Sequence, residues 1–359
     1  MTIVRGSSDL DRLRYVTRAS SNATGRTKHR LRRSAQDLTH VAAIYYPTSL
    51  RKGRAVISAI LAACFLNVLA ENSAGQTKRA LTIYPLTSIN TAADDYDPCL
   101  DPSGRELYFV SEVNGRALLH VARWKENAGI RAERASQGFS AATCVEELDS
   151  VRFGDTSPFV LPPEKDKSQY LFFATQRFSD DKKVNYDLAF TRRLQLKQAF
   201  SAAAVAPLQA LCSEADEQHP WVVRVGNEYE IYFSRRTAEG WHLYVARAST
   251  PRTPDEPQKL PFPSGFHHAT LSADGLTMYL QGPVDGSRQG IYISRRANAR
   301  SPWSQPKPLA DLNAQGGPRG VLSPSLSRPR GTLLFFASDR AGGKGGLDLY
   351  VVETRELPE

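Results

Sequence analysis

SPSLSRPRGTLLFFASDRAGGKGGLDLYVV, residues Ser323 to Val352, decides the fold. Its first short run, around Ser325 to Ser327, breaks at Pro329 and Gly331, a pair that reverses the chain. LLFFAS follows, too short and too aromatic for a helix. SDR and GGKGG make a second turn whose glycines tolerate positive φ, and LDLYVV closes the set as a third strand, apolar on both faces. A strand buried on both faces lies between two other sheets.

Weaker copies of this unit recur upstream. DPCLDPSGRELYFVS begins at Asp97, SPFVLPPEKDKSQYLFFAT at Ser157, HPWVVRVGNEYEIYFS at His219 and HATLSADGLTMYL at His268, each followed by a further apolar run. The anchors Phe109, Phe173, Phe233, Leu280 and Phe336 fall 47 to 64 residues apart, near the period of a four-stranded propeller blade and too wide for most solenoids. The strand at 80–90, RALTIYPLTSI, has no partner hairpin, while the fifth unit ends after its third strand. The spacing therefore predicts an all-β, five-bladed β-propeller closed by an N-terminal strand that completes the last blade and removes an open edge.

Residues 323–350 and 97–111 together resemble the WD-like β-propeller repeat of TolB-type bacterial envelope proteins. The resemblance implies an exported binding scaffold and brings no catalytic residues with it.

The net charge of +9 belongs to the leader: residues 1–75 hold 12 Lys and Arg against 4 Asp and Glu, the remainder 34 against 33. The basic balance is thus no sign of nucleic-acid binding by the folded part. Residues 1–49 read as a disordered basic extension, or as sequence upstream of a start at Leu50. Residues 50–76 read as a signal peptide or signal anchor, with Arg51, Lys52 and Arg54 preceding the uncharged run AVISAILAACFLNVLA. LAAC, ending at Cys64, resembles a lipobox, which makes a lipoprotein the variant reading. Residues 77–359 are then the propeller, a periplasmic or extracellular monomer that meets the membrane only through its N-terminal segment. Cys99, Cys144 and Cys212 allow one disulfide, Cys144 with Cys212 if their loops meet, or three buried thiols.

In a propeller the residues just before each first strand converge on the axis. The expected ligand or partner contacts are Asp95, Asp97, Asp155, Glu217, His219, His267, His268 and Arg319. Asp95, Asp155 and Glu217 stand at one offset, three residues before the motif proline of successive blades. Two carboxylates and a positioning third suit a glycosidase, and five-bladed propellers that cleave sugars place such a trio on successive inner strands. Asp and Glu also satisfy turn amides at such places. The histidines lack ligand spacing, so neither metal nor cofactor is expected. GGKGG joins two strands instead of opening a helix, which makes it a hairpin and not a phosphate cradle. The function expected is a scaffold with no catalytic residue, binding a protein or glycan partner in the envelope; the alternative is a glycoside hydrolase using Asp95, Asp155 and Glu217.

Overall fold

A computed structural model describes residues 81–126, 128–149, 152–179 and 184–358. The readings made of 1–49, of the export segment at 50–76 with Cys64, and of the start of the propeller domain at 77 lie outside the described residues. No helix among those described is long and apolar enough to cross a membrane.

Twenty strands form five antiparallel sheets of four. Blade one holds β2 (Asp95–Leu100), β3 (Glu106–Val113), β4 (Arg116–Arg123) and β5 (Thr143–Cys144). Blade two holds β6 (Asp155–Val160), β7 (Gln169–Thr175), β8 (Asp187–Arg193) and β9 (Ala206–Pro207). Blade three runs from β10 (Asp216–Val225) through β11 (Glu228–Thr237) and β12 (Gly240–Ala248) to β13 (Gln258–Lys259). Blade four runs from β14 (His267–Leu271) through β15 (Thr277–Asp285) and β16 (Arg288–Arg295) to β17 (Lys307–Pro308). Blade five takes β18 (Val321–Leu326), β19 (Leu333–Ser338) and β20 (Asp348–Glu353), with β1 (Tyr84–Pro85) as its outer strand.

The five anchors Phe109, Phe173, Phe233, Leu280 and Phe336 are wholly buried on the second strand of each blade, where neighbouring sheets meet. Outermost strands are only two residues long, which leaves little free edge for another chain to extend.

Closure is the last blade's sharing of β1: Tyr84 pairs with Val351 and Pro85 with Tyr350. The strand is two residues long where the sequence suggested the whole of 80–90. Pro85 offers no N–H to extend the ladder, and at Leu86 the chain turns, its carbonyl accepting the N–H groups of Ile89 and Asn90. The rest of the segment still seals the seam. Leu86 and Ile89 are buried, and the Asn90 amide exchanges two hydrogen bonds with the Leu349 backbone, at 3.0 and 3.1 Å.

Two buried struts tie blades in pairs. Arg193 of blade two reaches Glu106 of blade one at 2.9 Å, and Arg296 of blade four reaches Glu230 of blade three at 2.7 Å. In each, a tyrosine two residues on, Tyr108 or Tyr232, donates its hydroxyl to the same glutamate. Cys99, Cys144 and Cys212 are free thiols.

Candidate functional site at the axial mouth

Every first strand carries the same irregularity. Pairing with the second strand shifts register between Tyr96 and Cys99, Thr156 and Phe159, Gln218 and Trp221, His267 and Thr270, and Leu322 and Ser325. At each bulge one residue turns left-handed: Asp97 (φ 51°), Ser157 (56°), His219 (57°), His268 (48°) and Ser323 (52°). None is glycine, so each conformation costs about 1 kcal/mol or more and is held by the ladder on either side. Asp and His are among the residues that tolerate this region. In four blades the next residue is proline, which has no N–H to leave unpaired at the bulge.

The bulges gather these residues on the axis. Asp97 is the floor: its Oδ2 accepts from Thr156 Oγ1 (2.8 Å), Ser157 N (3.1 Å) and Ser157 Oγ (2.9 Å), and its Oδ1 from Ser323 Oγ (2.7 Å). One carboxylate thus joins blades one, two and five, and His268 Nδ1 of blade four lies 3.6 Å from Oδ1. Beside it is a cavity of about 20 Å³, room for a single water.

The histidines are packed, not dangling. The rings of His219 and His268 stack at 3.9 Å and 20°, Ser234 Oγ accepts the His268 N–H at 2.8 Å, and His219 Nδ1 lies 3.2 Å from the same hydroxyl. His267 Nδ1 faces the Gly265 carbonyl at 2.9 Å, so that nitrogen carries the proton. Burial pushes all three well below the ordinary imidazole range, His267 to about 4, and the neighbouring imidazoles add to the effect on His219. They are neutral at pH 7.

Asp97, His219 and His268 can each bring one donor atom within 4.8 Å of the others. The arrangement fits a metal poorly. Stacked imidazoles point their in-plane lone pairs side by side, where a tetrahedral ion needs them to converge, and Asp97 already accepts four hydrogen bonds.

Above the floor the mouth opens as a cavity of about 300 Å³. Trp241 and His267 stack on one wall at 5.3 Å and 14°. Tyr96, Tyr186 and Glu112 form another, with the Tyr96 hydroxyl donating to Glu112 Oε1 at 3.3 Å. Burial raises both phenols, Tyr96 further through the charges of Asp97 and Glu112, and Tyr186 is pushed up to about 12. Gln218 and Gln281 supply amides, and half-exposed Arg319 stands at the rim, 2.5 Å from Asp94.

Of the residues expected on the axis, Asp97, His219, His267, His268 and Arg319 line this mouth. Asp95, Asp155 and Glu217 do not. Each is paired in the ladder before the bulge, opposite Ser111, Thr175 and Arg235 respectively. Each carboxylate is then taken up within its own blade. Asp95 accepts from Thr91 N (2.5 Å) and Thr91 Oγ1 (3.2 Å), Asp155 binds Arg177 at 2.5 Å, and Glu217 binds Arg235 at 2.7 Å and Ser213 N at 3.0 Å. Burial raises all three, against the lowering effect of these partners.

The lining residues that the sequence reading missed include Tyr96 and Gln218, two places before the motif proline. Aligning the copies gives a column there, Tyr96, Thr156, Gln218, His267 and Leu322, every member of which reaches the mouth. Glu112, Tyr186 and Trp241 come from the ends of second and third strands, where the copies share no motif.

No family model matches the sequence, and no curated relative does. Solved structures do match. The catalytic domain of a GH62 α-L-arabinofuranosidase from Coprinopsis cinerea has a TM-score of 0.53 at 13% identity, over 77% of this chain and 98% of its own. An α-L-arabinofuranosidase from Lactobacillus brevis gives 0.52 at 12%, over 75% and 92%. A GH43_1 enzyme from Xanthomonas citri, complexed with xylotriose, gives 0.51 at 13%, over 77% and 91%. These neighbours share the five-bladed fold of this chain, and they are glycoside hydrolases where the sequence suggested a WD-like, TolB-type scaffold with a protein partner.

Proposed function

We propose that this propeller acts on carbohydrate as a glycoside hydrolase, with the sugar seated in the axial mouth. The observation that carries the reading is the mouth's composition. A cavity at the small end of ligand pockets sets stacked aromatic rings on one wall, a carboxyl on the floor and a second carboxyl on another wall. Trp241 and His267 offer an apolar face for a sugar ring, and the two glutamines offer hydroxyl partners. Asp97, fixed by four donors, places negative charge under the ring where an oxocarbenium-like transition state becomes positive. Glu112 is exposed and takes only a 3.3 Å bond from Tyr96, so its carboxyl is free to move a proton to the leaving oxygen or from a water. The similar enzymes, one of them bound to xylotriose, favour a hydrolase over a binding module. Asp95, Asp155 and Glu217 have no place in this reading.

The test is turnover of chromogenic arabinosides and xylosides and of xylo-oligosaccharides by the full chain, beside Glu112→Gln and Asp97→Asn. Turnover reduced at least about a hundredfold in Glu112→Gln, with the fold intact, supports the assignment. Absence of turnover on the panel, or turnover indifferent to Glu112, overturns it.

A further inference from the structure

The axis has a second end, built from different chemistry. The turns joining first to second strands converge there, with Pro102, Pro162, Ala273 and Pro329 from four blades and Arg224 from the end of β10 in the fifth. They surround a cavity of about 680 Å³, more than twice the volume of the mouth. Leu161, Val222 and Val223 make its walls largely apolar.

Arg328 also lines this cavity. Its guanidinium lies 4.2 Å over the Phe159 ring and 5.1 Å from that of Trp221, and one amino group donates to the Val160 carbonyl. Its Nε is buried with no partner. Among the other shielded arginines, Arg177, Arg193, Arg235 and Arg296 each hold a carboxylate, while Arg340, stacked on Phe336 and Tyr350, holds none among the described residues. Arg328 holds none among the described residues. Asp101, whose charge reaches it, is engaged by Ser103 and by the N–H groups of Arg105 and Glu106. A shielded cation without an anion is unfavourable, and stacking on two rings offsets only part of that cost.

We propose that this cavity binds a small organic monocarboxylate, its apolar body against Leu161, Val222 and Val223 and its carboxylate on Arg328. A planar guanidinium suits a carboxylate, which it can grip through two N–H groups. The charges around the cavity set the valence. Lys165, Arg224 and Arg328 stand against Glu164 and Asp166, a balance of one positive charge that a monoanion neutralises and a phosphate dianion overshoots. The site is independent of the glycan reading of the mouth.

The experiment is isothermal titration of the full chain with benzoate and hexanoate, with benzamide as the neutral counterpart of benzoate and inorganic phosphate as a charge-only probe. Benzoate should bind at least about tenfold more tightly than benzamide, and Arg328→Met should remove that preference. Ala273 lies on an exposed turn at the rim, so Ala273→Trp should fill the cavity and block binding without lowering the melting temperature or altering the mouth's activity on glycosides. If Arg328→Met fails to fold, Ala273→Trp and the benzamide comparison decide alone. No binding of either carboxylate, equal affinity for benzoate and benzamide, binding that survives Ala273→Trp, or phosphate binding as tight as benzoate would each overturn the proposal.

Discussion

The residue before each motif proline and the residue two places earlier occupy equivalent positions in successive blades, yet they serve different ends. The earlier position, Asp95, Asp155 or Glu217, is paired in the ladder, and its carboxylate locks a loop or an arginine of the same blade. The later position, Asp97, Ser157, His219, His268 or Ser323, sits in the bulge and meets other blades across the axis. Blades are therefore stabilised one at a time by the first set and gathered into a site by the second. Two residues along a strand would normally point to the same face. The bulge is what separates them.

The comparison breaks most visibly at Asp155. Replacing it with Ala leaves Arg177, with only 18% of its side chain exposed, without its anion, a change worth about 3 to 5 kcal/mol. The melting temperature should fall on the order of 10 °C, while the folded variant keeps its affinity for oligosaccharide at the mouth. Thermal melts and titration with xylotriose check both halves. Lost activity at unchanged stability would return Asp155 to the machinery.

Acid should act on the histidines gathered at the mouth. His267, with a folded value of about 4 against about 6.5 unfolded, is neutral in the native state and takes up a proton more readily when unfolded. Its effect is absent above about pH 6.5 and grows as pH falls to about 4, removing on the order of 3 kcal/mol. His219 and His268, lowered in the same direction, add to the loss. The raised carboxyls Asp95, Asp155 and Glu217 oppose it, since the native state protonates them first as pH falls. Melting curves from pH 8 to pH 4 should show the decline, shallower in His267→Gln; equal slopes in the two proteins would mean that His267 is not buried as a neutral ring.

The fold was legible because one blade is written almost without ambiguity. Ser323 to Val352 gives three strands, two turns and the both-faces-apolar pattern that demands neighbouring sheets, and the missing fourth strand pointed to residues 80–90, of which Tyr84 and Pro85 form the pair. The site was legible only in part. A shared offset made Asp95, Asp155 and Glu217 look convergent, but an offset in sequence does not say which side of a bulge a residue occupies. Trp241 and Glu112 left no trace because mouth residues on second and third strands follow no repeat. The TolB-type resemblance rested on the turn and strand motif of residues 323–350 and 97–111, which specifies a blade and not what the blade does. Asp97 and Ser323 fall inside that pattern, but Glu112, Tyr186 and Trp241, where a hydrolase and a scaffold differ, lie outside it.

The smallest effect gives the sharpest contrast, because two serines perform the same local act on opposite sides of the bulge. Ser157 Oγ donates to Asp97 at 2.9 Å, and Ser213 Oγ donates to Glu217. Each removal to Ala deletes one hydroxyl from one carboxylate, at a cost of about 1 kcal/mol for buried Ser157 and less for exposed Ser213, whose place water can take. Asp97 keeps Thr156, the Ser157 N–H and Ser323 but loses one of the three donors that fix its Oδ2 edge, so the charge beneath a bound sugar becomes less well placed. Glu217 keeps Arg235 and the Ser213 N–H and never faces the mouth. Ser157→Ala should therefore lower kcat severalfold on any glycoside the protein cleaves with KM little changed, whereas Ser213→Ala should leave both constants within error. Steady-state kinetics on one substrate decides between them: equal losses would mean that the two positions belong to one network, and the separation drawn at the bulge would not hold.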